Sequence, residues 1–168
     1  NSIKIRICDG VASHVLDSNA KIRADDWYLV GFSYTKSSFL KVFINDQITT
    51  AVPTVDLTMT SKDLAIGGFG SGGSKIDGLV DEVIILDKGL SDDEIKDYYF
   101  RNNIPSSANK VIELLFTEGT GNNVSDSSGN GLDGTGQVAF SWSTDTHTQE
   151  RKAVRNIDYS LDMDGNSA

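Results

Sequence analysis

Residues Ile76 to Tyr99 read IDGLVDEVIILDKGLSDDEIKDYY, and the rest of the chain is organised around this stretch. Val80 to Leu86 is β-branched or apolar except at Asp81 and Glu82, which predicts a largely buried strand. Asp87-Lys88-Gly89 supplies turn chemistry that ends it. Ser91-Asp92-Asp93-Glu94 has the form of a capping box, in which the Ser91 hydroxyl accepts from the Glu94 N–H and the Glu94 carboxylate reaches back to Ser91. Three carboxylates in that first turn also sit where the helix dipole favours negative charge. Ile95, Tyr98 and Tyr99, three and four apart, give a short helix over Ser91 to Phe100 one apolar stripe to bury.

Upstream, Ile3, Ile5 and Ile7 alternate with Lys4, Arg6 and Cys8, the period of a half-buried strand. His14 to Arg23 predicts one or two further short strands. Trp27 to Tyr34 is apolar on both faces and reads as a central strand, with Trp27 in the core. Leu40, Val42 and Ile44 share one face of the next strand, Asn45-Asp46 is a two-residue hairpin turn, and Gln47 to Val52 returns. Leu64 to Ile66 is a short strand running into the glycine-rich loop GGFGSGGS. Short strands at this spacing, with turn signals between them, predict an antiparallel sandwich.

The closing stretch, with Gly78, Val80, Asp81, Glu82, Val83, Ile85, Leu90, Ser91, Glu94 and Ile95, resembles the signature that ends laminin-G-like, concanavalin-A-like jelly-roll domains. WYLVGFSY, LKVFIND and LAIGG resemble, in order, elements that precede that signature in the family. The fold implied is all-β, an antiparallel β-sandwich of concanavalin-A-like jelly-roll type with one short capped helix. Arg101 to Lys110 (RNNIPSSANK) is polar and aperiodic and reads as a linker. Beyond it, Val111 to Phe116 is a strand. Leu115, Phe116, Glu118, Gly119, Gly121, Asp126, Ser128, Gly129, Asn130, Gly131, Gly134, Leu161, Asp164 and Gly165 resemble the opening of the same family. Residues 1–100 therefore read as the C-terminal part of one such sandwich and residues 111–168 as the N-terminal part of another, the two either belonging to a longer tandem array or combining into one sandwich. The chain, beginning at Asn1, is expected to come from a longer protein.

Composition narrows the function. A net charge of −9 with scattered basic residues argues against nucleic acid, which needs clustered Lys and Arg. No apolar run approaches the ~20 residues of a membrane span, so membrane insertion is not expected. Cys8 is the single cysteine, which leaves no intrachain disulfide or cysteine-based zinc cluster and reads as a free thiol on a strand face.

Catalysis is not expected. Retaining glycosidases set two carboxylates about 5–5.5 Å apart. Asp81 and Glu82, adjacent on a strand, face opposite sides. Asp162 and Asp164 alternate but run into a turn, and His14 and His147 lack a nucleophile in context and read as surface residues. A structural calcium ion is the candidate cofactor: Asp126, Asn130 and Asp133 offer oxygens in a glycine-rich turn, and in folds of this kind Asp81 can come close. The competing role for the same residues is hydrogen bonding within Asx turns. Sugar sites need aromatic platforms with planar polar partners, and Trp142 and Phe69 are the candidate ligand-binding residues. What the resemblance implies is a non-catalytic recognition module, extracellular or on a cell or virion surface, binding a glycan or surface protein beside neighbouring domains of a longer chain. The alternatives are a structural spacer in a surface fibre or virion and an accessory domain of a glycoside-active enzyme.

Overall fold

A computed structural model describes residues 1–58, 64–68, 76–136, 140–146 and 160–162, the last three by their backbone. In chain order the elements are β1 (Lys4–Cys8), β2 (Ser13–Asp17), β3 (Val30–Thr35), β4 (Phe39–Ile44), β5 (Gln47–Ala51), β6 (Leu79–Val80) and β7 (Val83–Leu86). The helix α1 (Asp92–Arg101) follows, then β8 (Lys110–Leu114), β9 (Asn123–Val124), β10 (Gly134–Thr135), β11 (Ser141–Ser143) and β12 (Ser160–Asp162). Every strand pairing is antiparallel, and α1 is the one helix among the described residues. This is the all-β sandwich class that the alternation predicts.

The chain divides into two compact units, Asn1–Ser61 with Lys88–Asn109 and Lys62–Asp87 with Lys110–Ala168. The chain passes from the first unit to the second at the end of the stretch read as a linker. The closing strand of the family-like signature belongs to the same unit as the opening strand of the second half.

In the first unit, β3, β4 and β5 form a meander and β1 and β2 a hairpin whose second strand packs along β4 and β5. β4 is the centre, with Leu40, Lys41, Val42, Phe43 and Ile44 all buried. Its turn to β5 is the two-residue Asn45-Asp46, with Ile44 paired to Gln47. Asn45 adopts φ 55°, and its side-chain oxygen accepts the Leu29 N–H at 2.9 Å, so the turn residue also fixes the entry to β3. Trp27 lies ahead of β3 and is half-buried, and β3, expected as a central strand, lies at the edge of the β3-β4-β5 sheet. The segment before α1 is tied to β3 and β4: the Ser33 hydroxyl donates to the Leu90 carbonyl at 3.0 Å, and Lys41 reaches Asp92 at 2.6 Å. The capping box of α1 is complete, the Glu94 N–H donating to Ser91 Oγ at 3.3 Å and the Ser91 N–H to Glu94 Oε2 at 2.9 Å. Ile95 on its inner stripe is fully buried.

In the second unit, Leu114, Phe116 and Val124 form the core, packed by Ile66, Val80, Val83, Ile112, Phe140 and Trp142. The run from Val80 to Leu86, expected as one strand, is two. Asp81-Glu82 interrupts it, with Glu82 at φ 64°, so that β6 pairs with β12 while β7 pairs with β8. A residue in the left-handed region turns the chain sharply, and here the turn lets one run serve two sheets. The argument that Asp81 and Glu82 face opposite sides of a strand therefore falls away. Leu64 to Ile66 forms no strand; its apolar content is used by Ile66 packing on the core.

Candidate functional site

The loop from Thr117 to Gly136 carries three of the four residues predicted to hold a metal. Positive φ at Gly129 (91°) and Gly131 (70°) lets the backbone curl tightly on either side of Asn130. Asp126 is the hub of the curl. Its Oδ1 accepts the N–H groups of Glu113 and Ser128, each at 2.9 Å, and its Oδ2 accepts the Ser128 hydroxyl at 2.8 Å and the Leu132 N–H at 3.0 Å. Its own N–H donates to Asp133 Oδ1 at 2.8 Å, which draws the far end of the loop back to the start. The Asn130 amide donates to the Lys110 and Val111 carbonyls at 2.9 and 3.0 Å, pinning the loop tip to β8. The N–H of Glu113, with those of Leu132 and Ser128, holds the Asp126 carboxyl far below the usual carboxylate range against an opposing cost of burial.

This geometry suits a carboxylate that organises a loop, with four donors pointing their positive ends at the two oxygens of Asp126. Calcium takes six to eight oxygens. Asp81 stands at the break between β6 and β7, and the described residues contain no cluster of three or more Asp, Glu, His or Cys able to hold a metal. Asp126 and Asp133 are brought together through a backbone hydrogen bond; Asp81 is not gathered with them. Glu118 belongs to the same loop: its Oε1 accepts the Ser125 N–H at 2.7 Å, while its Oε2 is enclosed with no hydrogen-bond partner among the described residues. In the sequence Glu118 is marked only as a motif residue, since its enclosure depends on how the loop folds over it.

Trp142, one of the two predicted ligand-binding residues, lies on β11. It is half-buried against the core, meets Phe140 edge to face at a centroid distance of 6.0 Å, and donates its indole N–H to the Gly121 carbonyl at 2.9 Å. Its polar edge is thus used to fasten the loop to the sheet. Phe69, the other, lies outside the described residues, as do His147 and Asp164. His14 is half-buried and its Nδ1 accepts the Thr54 N–H at 3.3 Å, while Cys8 is exposed at the end of β1.

A concavity lies in the first unit, beside the last turns of α1. Asn102 caps the helix at φ 54°, its N–H donating to the Tyr98 carbonyl, and sends the chain back along the helix surface. A cleft of about 430 Å³ results, bounded by Asp93, Lys96, Asp97 and Phe100 on the helix and by Asn103 and Pro105 on the returning chain.

Antiparallel sheets and the one capped helix among the described residues agree with the family that the chain matches. Residues 1–96 match the concanavalin A-like lectin/glucanases superfamily, and the chain belongs to it. No curated protein and no solved structure gives a significant match. The superfamily assigns a carbohydrate-binding or related module, and its name spans both lectins and glucanases. No helix among the described residues is long and apolar enough to cross a membrane.

Proposed function

We propose that this chain is a non-catalytic recognition module that binds glycans outside the cell or on the surface of a particle. The observation that carries the reading is the superfamily match over residues 1–96. Asp126, at the centre of the loop, is held far below the ordinary carboxylate range chiefly by the hydrogen bond donated from the Glu113 N–H, whereas a glycosidase's general acid needs the opposite displacement, so this residue suits a loop organiser. Asp126 in this reading is a loop organiser, and a structural calcium ion at Asp126, Asn130, Asp133 and Asp81 is the competing assignment. Neighbouring domains of a longer chain are the natural companions of such a module.

Immobilised glycans probed with the labelled chain test the reading, alongside incubation with polysaccharides and detection of released reducing ends. Glycan binding without hydrolysis is expected. Hydrolysis of any polysaccharide overturns the non-catalytic assignment, and binding to no glycan overturns recognition. The spacer reading has one observation in its favour: β7, from the closing signature, pairs with β8, from the opening motif that follows the linker. Such pairing joins strands from the two sequence halves in one sheet, which suits a mechanical element.

A further inference from the structure

We propose that the cleft beside the C-terminal turns of α1 is a subsite for a neutral hexopyranose, with the Phe100 ring as its platform and Asp97, Arg101 and Asn103 as its polar partners. The proposal rests on the glycan-binding reading and places it at residues that neither the sequence motifs nor the family match singles out.

Position on the helix is the first observation. Asp93, Lys96, Asp97 and Phe100 follow the three-and-four spacing of one helical stripe, distinct from the stripe that buries Ile95. Phe100 closes this polar stripe with 65% of its surface exposed. Tyr99 meets it edge to face at 4.8 Å between centroids, which steadies the ring without covering it. An exposed aromatic face set beside hydrogen-bonding groups is the arrangement that takes the C–H face of a pyranose while the hydroxyls find partners at its rim.

The polar partners are fixed before any ligand arrives. The Asp97 carboxylate accepts from the Arg101 guanidinium at one oxygen and from the Asn103 amide at the other. The Arg101 bond lies within the helix, and the Asn103 bond joins the helix to the chain that returns past Asn102. Each carboxylate oxygen retains a lone pair for a hydroxyl donor, and the guanidinium has further N–H groups to offer. Holding these groups in place reduces the ordering cost that weakens sugar binding.

Charge and size select the ligand class. Asp93 and Asp97 are matched by Lys96 and Arg101, and the nearby Glu94 is already taken up by Lys88 at 2.5 Å and the Ser91 N–H. A balanced site does not favour sulfated sugars or uronic acids. About 430 Å³ lies within the usual 300–1,000 Å³ of small-molecule sites and suits a mono- or disaccharide.

The test uses the whole chain, on an array of neutral and anionic oligosaccharides and then by calorimetric titration with the best neutral ligand. Phe100→Ala and Asp97→Asn are each expected to weaken binding at least tenfold, and Phe100→Tyr to retain it. Because the ring is exposed, Phe100→Ala is expected to leave the circular dichroism and melting temperature of the wild type unchanged. If the wild type binds a neutral glycan and Phe100→Ala binds it equally well, the subsite is refuted while the glycan-binding reading stands. Preference for anionic glycans refutes the ligand class, and a wild type that binds none refutes both. A peptide or protein captured through Phe100 in place of any glycan shows that the cleft is a protein-docking surface and likewise overturns the proposal.

Discussion

Lys41 is a charged residue at the centre of a buried strand, and its energetics can be tested sharply. Its side chain is 9% exposed and ends 2.6 Å from the Asp92 carboxylate, 3.4 Å from the Leu90 carbonyl and 4.4 Å from the centre of the Phe39 ring. Asp92 lies in the first turn of α1 and is 53% exposed. The two partners are therefore unequal, and removing them should have unequal consequences. Asp92→Asn strands a buried ammonium near the positive end of a helix. A lost hydrogen bond to a charged group costs about 1.5–3 kcal/mol, and complete loss of a partner in a fully buried pair about 3–5 kcal/mol. Water reaches the Asp92 side, so the lower range applies. Lys41→Met keeps the buried stem, removes the charge and returns Asp92 to solvent, so the change should stay within about 1 kcal/mol of zero. The double variant should resemble Lys41→Met, which gives a coupling of about 1.5–3 kcal/mol in the double-mutant cycle. Urea unfolding followed by Trp27 fluorescence, in a Trp142→Phe background, reads the first unit. For a chain of this size Asp92→Asn should also lower the melting temperature by about 3–12 °C. Equal losses for Lys41→Met and Asp92→Asn, or no loss for Asp92→Asn, would refute the reasoning.

Four further outcomes are expected. Ser91→Ala removes the hydroxyl that accepts the Glu94 N–H and should cost about 1 kcal/mol, measured by urea unfolding, with Ser91→Asp restoring most of it. Gly89→Ala places a Cβ 2.4 Å from Thr35 Oγ1 and 2.7 Å from the Tyr34 carbonyl oxygen, and that overpacking should cost about 1–3 kcal/mol. Asp126 has a carboxyl held lower in the folded chain than the ordinary unfolded value of about 3.9. Its contribution is therefore complete above that pH and lost as pH falls toward the folded value. Acid unfolding curves should show Asp126→Asn less stable than wild type at neutral pH, with the gap closing below about pH 4. Millimolar calcium should raise the melting temperature of neither protein, whereas a bound ion at 100 times its dissociation constant would add about 2.7 kcal/mol.

The elements most legible in the sequence were those whose information is local. Isoleucine alternation in β1, the buried face of Leu40, Val42 and Ile44, the Asn45-Asp46 turn and the capping box at Ser91 each depend on residues within a few positions. A period of two, a tolerance of positive φ and an N-cap hydroxyl are properties a short segment carries with it. The ordered motifs from Trp27 to Ile95 likewise led to the superfamily that the match over residues 1–96 establishes.

Partner choice was decided by the tertiary structure. Val80 to Leu86 is apolar enough for one strand, and no local signal marks Glu82 for the left-handed region; the break arises where the run serves two neighbours, β12 and β8. The indole N–H of Trp142 finds its acceptor at Gly121, twenty-one positions away, and so serves the loop. Asp126 gathers donors from Glu113, Ser128 and Leu132, a convergence that composition cannot distinguish from a cation site because both use the same carboxylate in the same glycine-rich turn. The cleft at Phe100 depends on the left-handed cap at Asn102, which folds a stretch read as a linker back onto the helix. Sequence sets which groups a segment can offer; the direction from which donors, acceptors and strand edges arrive is fixed only when distant segments meet.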